Sequence, residues 1–257
     1  VEADGQTLFV DLGDDTLPLG YPSVQALNYK GWLLRDKEPA WIDLEPPVSA
    51  EGFTVKATID AAGNLKGNFS AAFKGYEAAD YRVQLAKNQD YWKQKMLTMY
   101  PEIRIQSVEV SALEALDETL KLSFDFELDG AAALAGDKAY FNPVLYTNFP
   151  ENPFKAQERN YPIDIPYPFV ENYQVELSFP ANWTLDDFPD PSTMVLPKNG
   201  GRVRIISELK DNVFKLIFQT NVQQLQYIPE EYSNVKQFFD LLVSKQEEQL
   251  VFSIKPQ

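Results

Sequence analysis

Three observations predict a mainly β, α+β fold for this chain of 257 residues. Apolar residues alternate with polar ones along several short runs, as half-buried strands require. Aromatic residues reach 13% and there are 18 prolines, a composition that suits pleated surfaces and turns. Only two stretches show helical spacing. The expected architecture is antiparallel β-sandwich-type sheets with two amphipathic helices covering sheet faces or edges. The length allows one large or two ordinary domains.

Residues 10–44 read as strand, turn, turn, strand. Asp14, Asp15 and Pro18 break the first apolar run, and Gly20 and Pro22 permit a reversal. Trp32–Leu34 and Trp41–Leu44 carry the later strand pattern. Residues 45–52, with Pro46, Pro47 and Gly52, read as a linker. Phe53, Val55, Ala57 and Ile59 alternate with Thr and Lys, 60–64 is a turn, and Leu65, Gly67, Phe69, Ala71 and Phe73 alternate again. That is a β-hairpin with one buried face. From 77 to 100 the period becomes helical, with Leu85, Trp92, Met96 and Met99 on one side and Pro101 as the stop.

Strands resume at 103–105 and 108–110, and Leu120 to Leu128 alternates strictly. An Ala-rich loop spans 130–136, and 140–146 is a further short strand. Residues 151–169 hold four prolines and are expected to cross over without regular structure. Beyond them lie a strand around 173–179, a loop at 180–191 containing Trp183, and an extended piece at 194–196. A turn at 199–201 leads to strands at 202–207 and 213–220. A helix follows over 230–249, with Val235, Phe238, Phe239, Leu242 and Val243 on one face, and a strand closes at 250–254. This gives three parts: 1–50, 51–150 and 151–257. Pattern alone leaves open whether the last two share a core.

Residues 10–44 also carry a resemblance. A strand ending in Asp11, Asp14-Asp15-Thr16, Pro18-Leu19-Gly20-Tyr21-Pro22, Leu27-Asn28-Tyr29-Lys30-Gly31 and Trp41-Ile42-Asp43-Leu44 resemble the close of the core in bacterial transglutaminase-like proteins of the papain-like superfamily. Asn152-Pro153-Phe154, Arg159, Pro162-Ile163-Asp164, Leu177-Ser178-Phe179-Pro180 and Tyr232–Phe238 resemble the β-rich C-terminal region of those proteins. The resemblance implies an envelope protein, periplasmic or at the cell surface, with a transglutaminase-like core elsewhere in the same polypeptide. It aligns Asp11 with the carboxylate of a Cys-His-Asp triad. Such a triad needs a thiolate and an imidazole, and this chain has no Cys and no His. Asp11 is then a remnant of a triad completed elsewhere or, read without the resemblance, a turn residue beside Gly13.

Composition narrows the function further. The net charge of −15 disfavours nucleic acid and anionic membranes, whose phosphates call for Lys and Arg. No apolar run is long enough to span a bilayer. The start at Val1 suggests a processed or cut chain. No phosphate-binding glycine motif is present, and neither Asp14-Asp15 nor Asp186, Asp187 and Asp190 has Ca²⁺-loop spacing. No cofactor or metal is expected. Arg159 and Trp183 are the candidate binding residues. Pinning its loop to a carboxylate or to backbone carbonyls is the stronger reading of Arg159, and packing is the stronger reading of Trp183 and of the other available aromatics, Trp32, Trp41, Tyr161, Tyr167 and Tyr173. The leading expectation is a non-catalytic accessory region that packs on or presents the core. The alternative is a carbohydrate- or protein-binding β-sandwich module. A carboxylate hydrolase would need a cleft with two converging carboxyls of perturbed pKa.

Overall fold

The computed structural model describes residues 2–3, 6–7, 14–27, 30–34 and 38–255. Its framework is a nine-stranded sheet. In chain order the strands are β1 Ser49–Ile59, β2 Leu65–Lys74, β3 Ile103–Ile105, β4 Glu109–Ser111, β5 Leu120–Leu128, β6 Phe169–Ser178, β7 Ser192–Val195, β8 Gly201–Lys210 and β9 Val213–Val222. Across the sheet they lie in the order β7-β8-β9-β6-β1-β2-β5-β3, with β4 also pairing β5. Every neighbouring pair is antiparallel except β1 and β6, which run parallel at the centre. Two antiparallel blocks, one from each half of the chain, meet along that seam.

The hairpin expected at 53–73 forms as β1 and β2. Asp60 closes its turn by accepting hydrogen bonds from the amides of Ala62 and Asn64 at 2.8 and 2.9 Å. Gly67 is needed where β2 passes β1, because a Cβ there would lie 2.3 Å from the Lys56 carbonyl oxygen. β1 begins at Ser49, so the linker is shorter than expected, and Pro46 and Pro47 stay outside the strand.

The helical stretch at 77–100 is two helices, α1 Tyr76–Lys87 and α2 Tyr91–Met99. Asn88 takes an extended conformation, and its Oδ1 accepts the Asp90 amide at 3.0 Å. This local side-chain bond competes with the helical ladder and divides it. Leu85, Trp92 and Met96 are buried as expected, whereas Met99 is exposed. With α3, Tyr232–Glu247, the described residues hold three α-helices rather than two.

A second, four-stranded sheet has the order Ala133–Ala135, Lys138–Phe141, Leu250–Ile254, Trp183–Asp187. Three expectations need correction. The Ala-rich loop expected at 130–136 contains the strand Ala133–Ala135, which pairs back onto Lys138–Tyr140 across a tight turn. The strand expected over 140–146 stops at Phe141, ahead of Pro143, which has no N–H to donate. The loop expected at 180–191 contains a strand that places Trp183 in the core, 5.2 Å from the Phe252 ring. The crossover at 151–169 is irregular apart from a two-residue bridge at Ile163–Asp164. The parts on either side of residue 150 share both the large and the small sheet and one hydrophobic core. The boundary expected at 150 therefore falls within a single packed unit. At the centre of the core Phe53, Phe69, Phe73, Tyr81, Trp92 and Tyr146 pack ring against ring.

Candidate functional site

The period of two in β1 sends Ser49, Glu51, Phe53 and Val55 to the core side. In β6 the same period buries Glu171, Tyr173 and Val175. The parallel register sets Glu51 beside Glu171, and Thr220 of β9 is the next residue in that row. A polar row therefore closes one end of an otherwise apolar sheet face. Glu51 is 8% exposed and Glu171 is 3% exposed.

Residues 142–149 bring the next group. Tyr173 fastens this segment to the sheet: its hydroxyl accepts the Leu145 amide at 2.8 Å and donates to the Pro143 carbonyl at 3.3 Å. Asn148 then donates through Nδ2 to Glu51 Oε1 and, at 3.2 Å, to Glu171 Oε2. Its Oδ1 accepts the Tyr146 hydroxyl at 2.6 Å, and Tyr146 in turn accepts Lys95 Nζ at 2.8 Å. The Lys95 ammonium lies over four aromatic rings, closest to Tyr146 at 4.7 Å from its centroid.

The first turn of α1 supplies a third carboxyl. The Glu77 amide donates to Ser49 Oγ at 3.1 Å, which sets the helix start against β1. Tyr167, stacked on Tyr76 with ring centroids 4.4 Å apart, donates its hydroxyl to Glu77 Oε1 at 3.1 Å.

No Lys or Arg among the described residues lies within ion-pair distance of Glu51, Glu77 or Glu171. Desolvation is the main reason all three hold their protons above the usual carboxylate range. For Glu51, the neighbouring Glu171 and Glu77 carboxyls add to the effect. Two carboxyls this close in a dry site share a proton rather than both ionise. The same burial pulls Lys95 down, and Glu51 opposes that shift. Glu51 Oε2 and Thr220 Oγ1 are buried without a partner among the protein's N–H and O–H donors, apart from the proton shared between Glu51 and Glu171.

Glu51, Glu77 and Asn148 face a cleft of about 300 Å³. Its walls are Phe149, Phe154, Ile165, Tyr167, Phe169 and Phe239, together with two prolines. The described part of the chain thus offers an apolar cleft bordered by carboxyls. Among the described residues no group of three His, Cys, Asp or Glu is placed to hold a metal ion.

Of the residues singled out in the sequence as binding candidates, Tyr167 lines this cleft and the others lie elsewhere. Asp11 lies outside the described residues. Trp183 is 2% exposed, so its ring has no free face for a ligand. Arg159 pins its own loop, donating through Nε to the Tyr161 carbonyl at 3.1 Å and through Nη2 to the Pro162 carbonyl at 3.3 Å. Asp14 accepts Thr16 at 3.0 and 2.6 Å in a local turn, and Asp186 pairs with Lys138 at 2.6 Å. Sequence reasoning missed Glu51, Glu171 and Asn148. A signal for the first two was present: each stands two residues before an aromatic core position and so occupies a core phase of its strand.

A family model described as a domain of unknown function with a solved structure (DUF3858) matches residues 137–252. Those residues run from the start of the Lys138–Phe141 strand to the middle of its partner, Leu250–Ile254. A comparison with curated proteins finds no match. Among solved structures the chain is similar to one described as a "putative protease" from Parabacteroides distasonis ATCC 8503, with 17% identity and a TM-score of 0.35. That similarity covers 38% of this chain and spans 19% of the other. No helix among the described residues is long and apolar enough to cross a membrane.

Proposed function

We propose that this chain is the non-catalytic accessory region of a transglutaminase-like surface or periplasmic protein, packing against a catalytic core in the same polypeptide. One observation carries the reading. The hairpin Lys30–Leu33 and Ala40–Asp43 pairs with no other strand among the described residues. Its two tryptophans touch edge to face, with ring centroids 5.1 Å apart, yet Trp32 is 48% and Trp41 66% exposed. Leu34 and Leu19 are more exposed still. An isolated two-stranded hairpin is marginal in water, and a pair of bare tryptophans on it marks a surface meant to be covered. The lack of Cys and His means that this chain supplies neither the thiolate nor the imidazole of a Cys-His-Asp triad.

The test is the longer polypeptide. A Cys and a His-bearing strand are expected upstream of Val1. In the longer protein, acrylamide should quench Trp32 and Trp41 less than it does in this chain. Equal quenching, or robust transglutaminase or thiol-protease activity of this chain alone, overturns the reading. The same exposed ring pair is what favours a second reading, a glycan- or protein-binding module. Glycan-array signal lost on Trp41→Ala would move the balance to it.

A further inference from the structure

We propose that the cleft between β1, α1 and the crossover binds a small ligand with an apolar body and a primary ammonium head. The walls set the body: Phe149, Phe154, Ile165, Phe169 and Phe239 offer apolar surface, and about 300 Å³ is at the small end of ligand sites. The carboxyl border sets the head. Glu51 and Glu77 reach the cleft from two different elements, with Glu171 directly behind Glu51. Among the described residues these three carboxyls receive one amide donor, Asn148, one phenol, Tyr167, and the proton shared between Glu51 and Glu171. They have no paired cation among the described residues. The nearby ammonium, on Lys95, is held by Tyr146 and by the rings around it.

What this border lacks is therefore positive charge and N–H donors. Glu51 is more than nine-tenths buried, and among the described residues its Oε2 receives no N–H, only the proton it shares with Glu171. A primary ammonium supplies both missing things: a compact charge and three donors that can rotate toward acceptors on separate side chains. An anion would meet three carboxyls. A neutral alcohol would leave the carboxyl pair as it is. When the ammonium enters, Glu51 ionises against it and its proton passes to solvent, because opposite charge favours the charged form.

The experiment is calorimetric titration of the whole chain at pH 7 in about 0.15 M salt, where contacts between exposed charges are largely screened. The probes are hexylammonium, 1-hexanol and hexanoate. Saturable binding of hexylammonium is expected, with a heat that varies with buffer ionisation enthalpy as a proton is released. 1-Hexanol should bind at least about tenfold more weakly, the loss expected when charge-assisted contacts are absent. Hexanoate should not bind. Glu51→Gln should weaken hexylammonium by a similar factor and abolish the buffer dependence, while Glu109→Gln on exposed β4 should change nothing. Phe154→Ala, in the apolar lining of the cleft, should weaken hexylammonium and 1-hexanol alike and serves if Glu51→Gln does not fold. The proposal is overturned if hexylammonium fails to saturate, if 1-hexanol binds as tightly, or if neither variant changes its affinity.

Discussion

Glu51 is where a single residue has the widest reach. Its carboxyl is buried beside Glu171, and in the folded chain the pair keeps the proton it shares, which an unfolded chain would release near pH 4. The folded state therefore binds more protons than the unfolded one at neutral pH. Stability from this source is complete below the ordinary carboxylate range and is lost as the pH climbs through neutrality. Each proton so linked changes stability by about 1.4 kcal/mol per pH unit. Thermal unfolding should show a higher midpoint at pH 5 than at pH 8, and Glu51→Gln should flatten that difference. An equal slope in the variant would place the linked proton elsewhere. Gly67 matters for a steric reason. A methyl group there would strike the Lys56 carbonyl oxygen and the backbone of Ala57, which cannot turn aside as a flexible side chain could. Gly67→Ala should cost about 1–3 kcal/mol in urea unfolding, in the range of overpacked cores. The glycine is plain in the sequence, but its close approach is not, because strand alternation carries no distance to the neighbouring strand.

At the scale of elements, strands with strict alternation were legible, and those interrupted by local chemistry were not. Leu120–Leu128 and the 53–73 hairpin were read directly from period two. The break at Asn88 was hidden because Leu85, Trp92 and Met96 keep one helical phase across it, while a single Asx turn parts the helices. Trp183 misled because Pro180, Pro189 and Pro191 make its surroundings look like loop, although four residues between them pair with Val251–Ile254, with Asp186 as a bulge. The candidate site was less legible still. Its carboxyls come from β1, α1 and β6, and only the register of a parallel pair brings Glu51 and Glu171 together. α1 also carries a pin that the pattern concealed. Arg82 is buried and donates to the carbonyls of Ala112, Leu113, Ala115 and Glu118 at 2.8–3.3 Å. Arg82→Leu removes their shared donor and should cost about 2–4 kcal/mol, less than the sum of about 1–3 kcal/mol for each fully buried orphan, because these carbonyls belong to residues partly or fully at the surface and Ala115 keeps the Glu118 amide. Hydrogen exchange should then speed at the Glu118 amide, whose acceptor is the Ala115 carbonyl. Unchanged exchange there would mean the loop is held by other contacts.

At the scale of the whole molecule, both sheets draw strands from both sides of residue 150. Fragments 1–150 and 151–257 made separately should give no near-ultraviolet circular dichroism signal of packed aromatics. Mixed together, they should regain it. A fragment that folds alone would show that the seam joins two finished units. The strands could be read from the sequence, but not their neighbours: nothing in the alternation of β1 says that its partner is β6, more than a hundred residues later. That separation has a consequence for synthesis. While the chain is being made, β1 and β2 can close as soon as they emerge, because a hairpin is local. The other edge of β1 stays open, with its amides and carbonyls unpaired, until residues 169–178 leave the ribosome. An open strand edge is a template for any other chain. The nascent protein thus passes through an interval in which its most central strand is the one most available to strangers, and crowding or slow translation of the second half lengthens that interval.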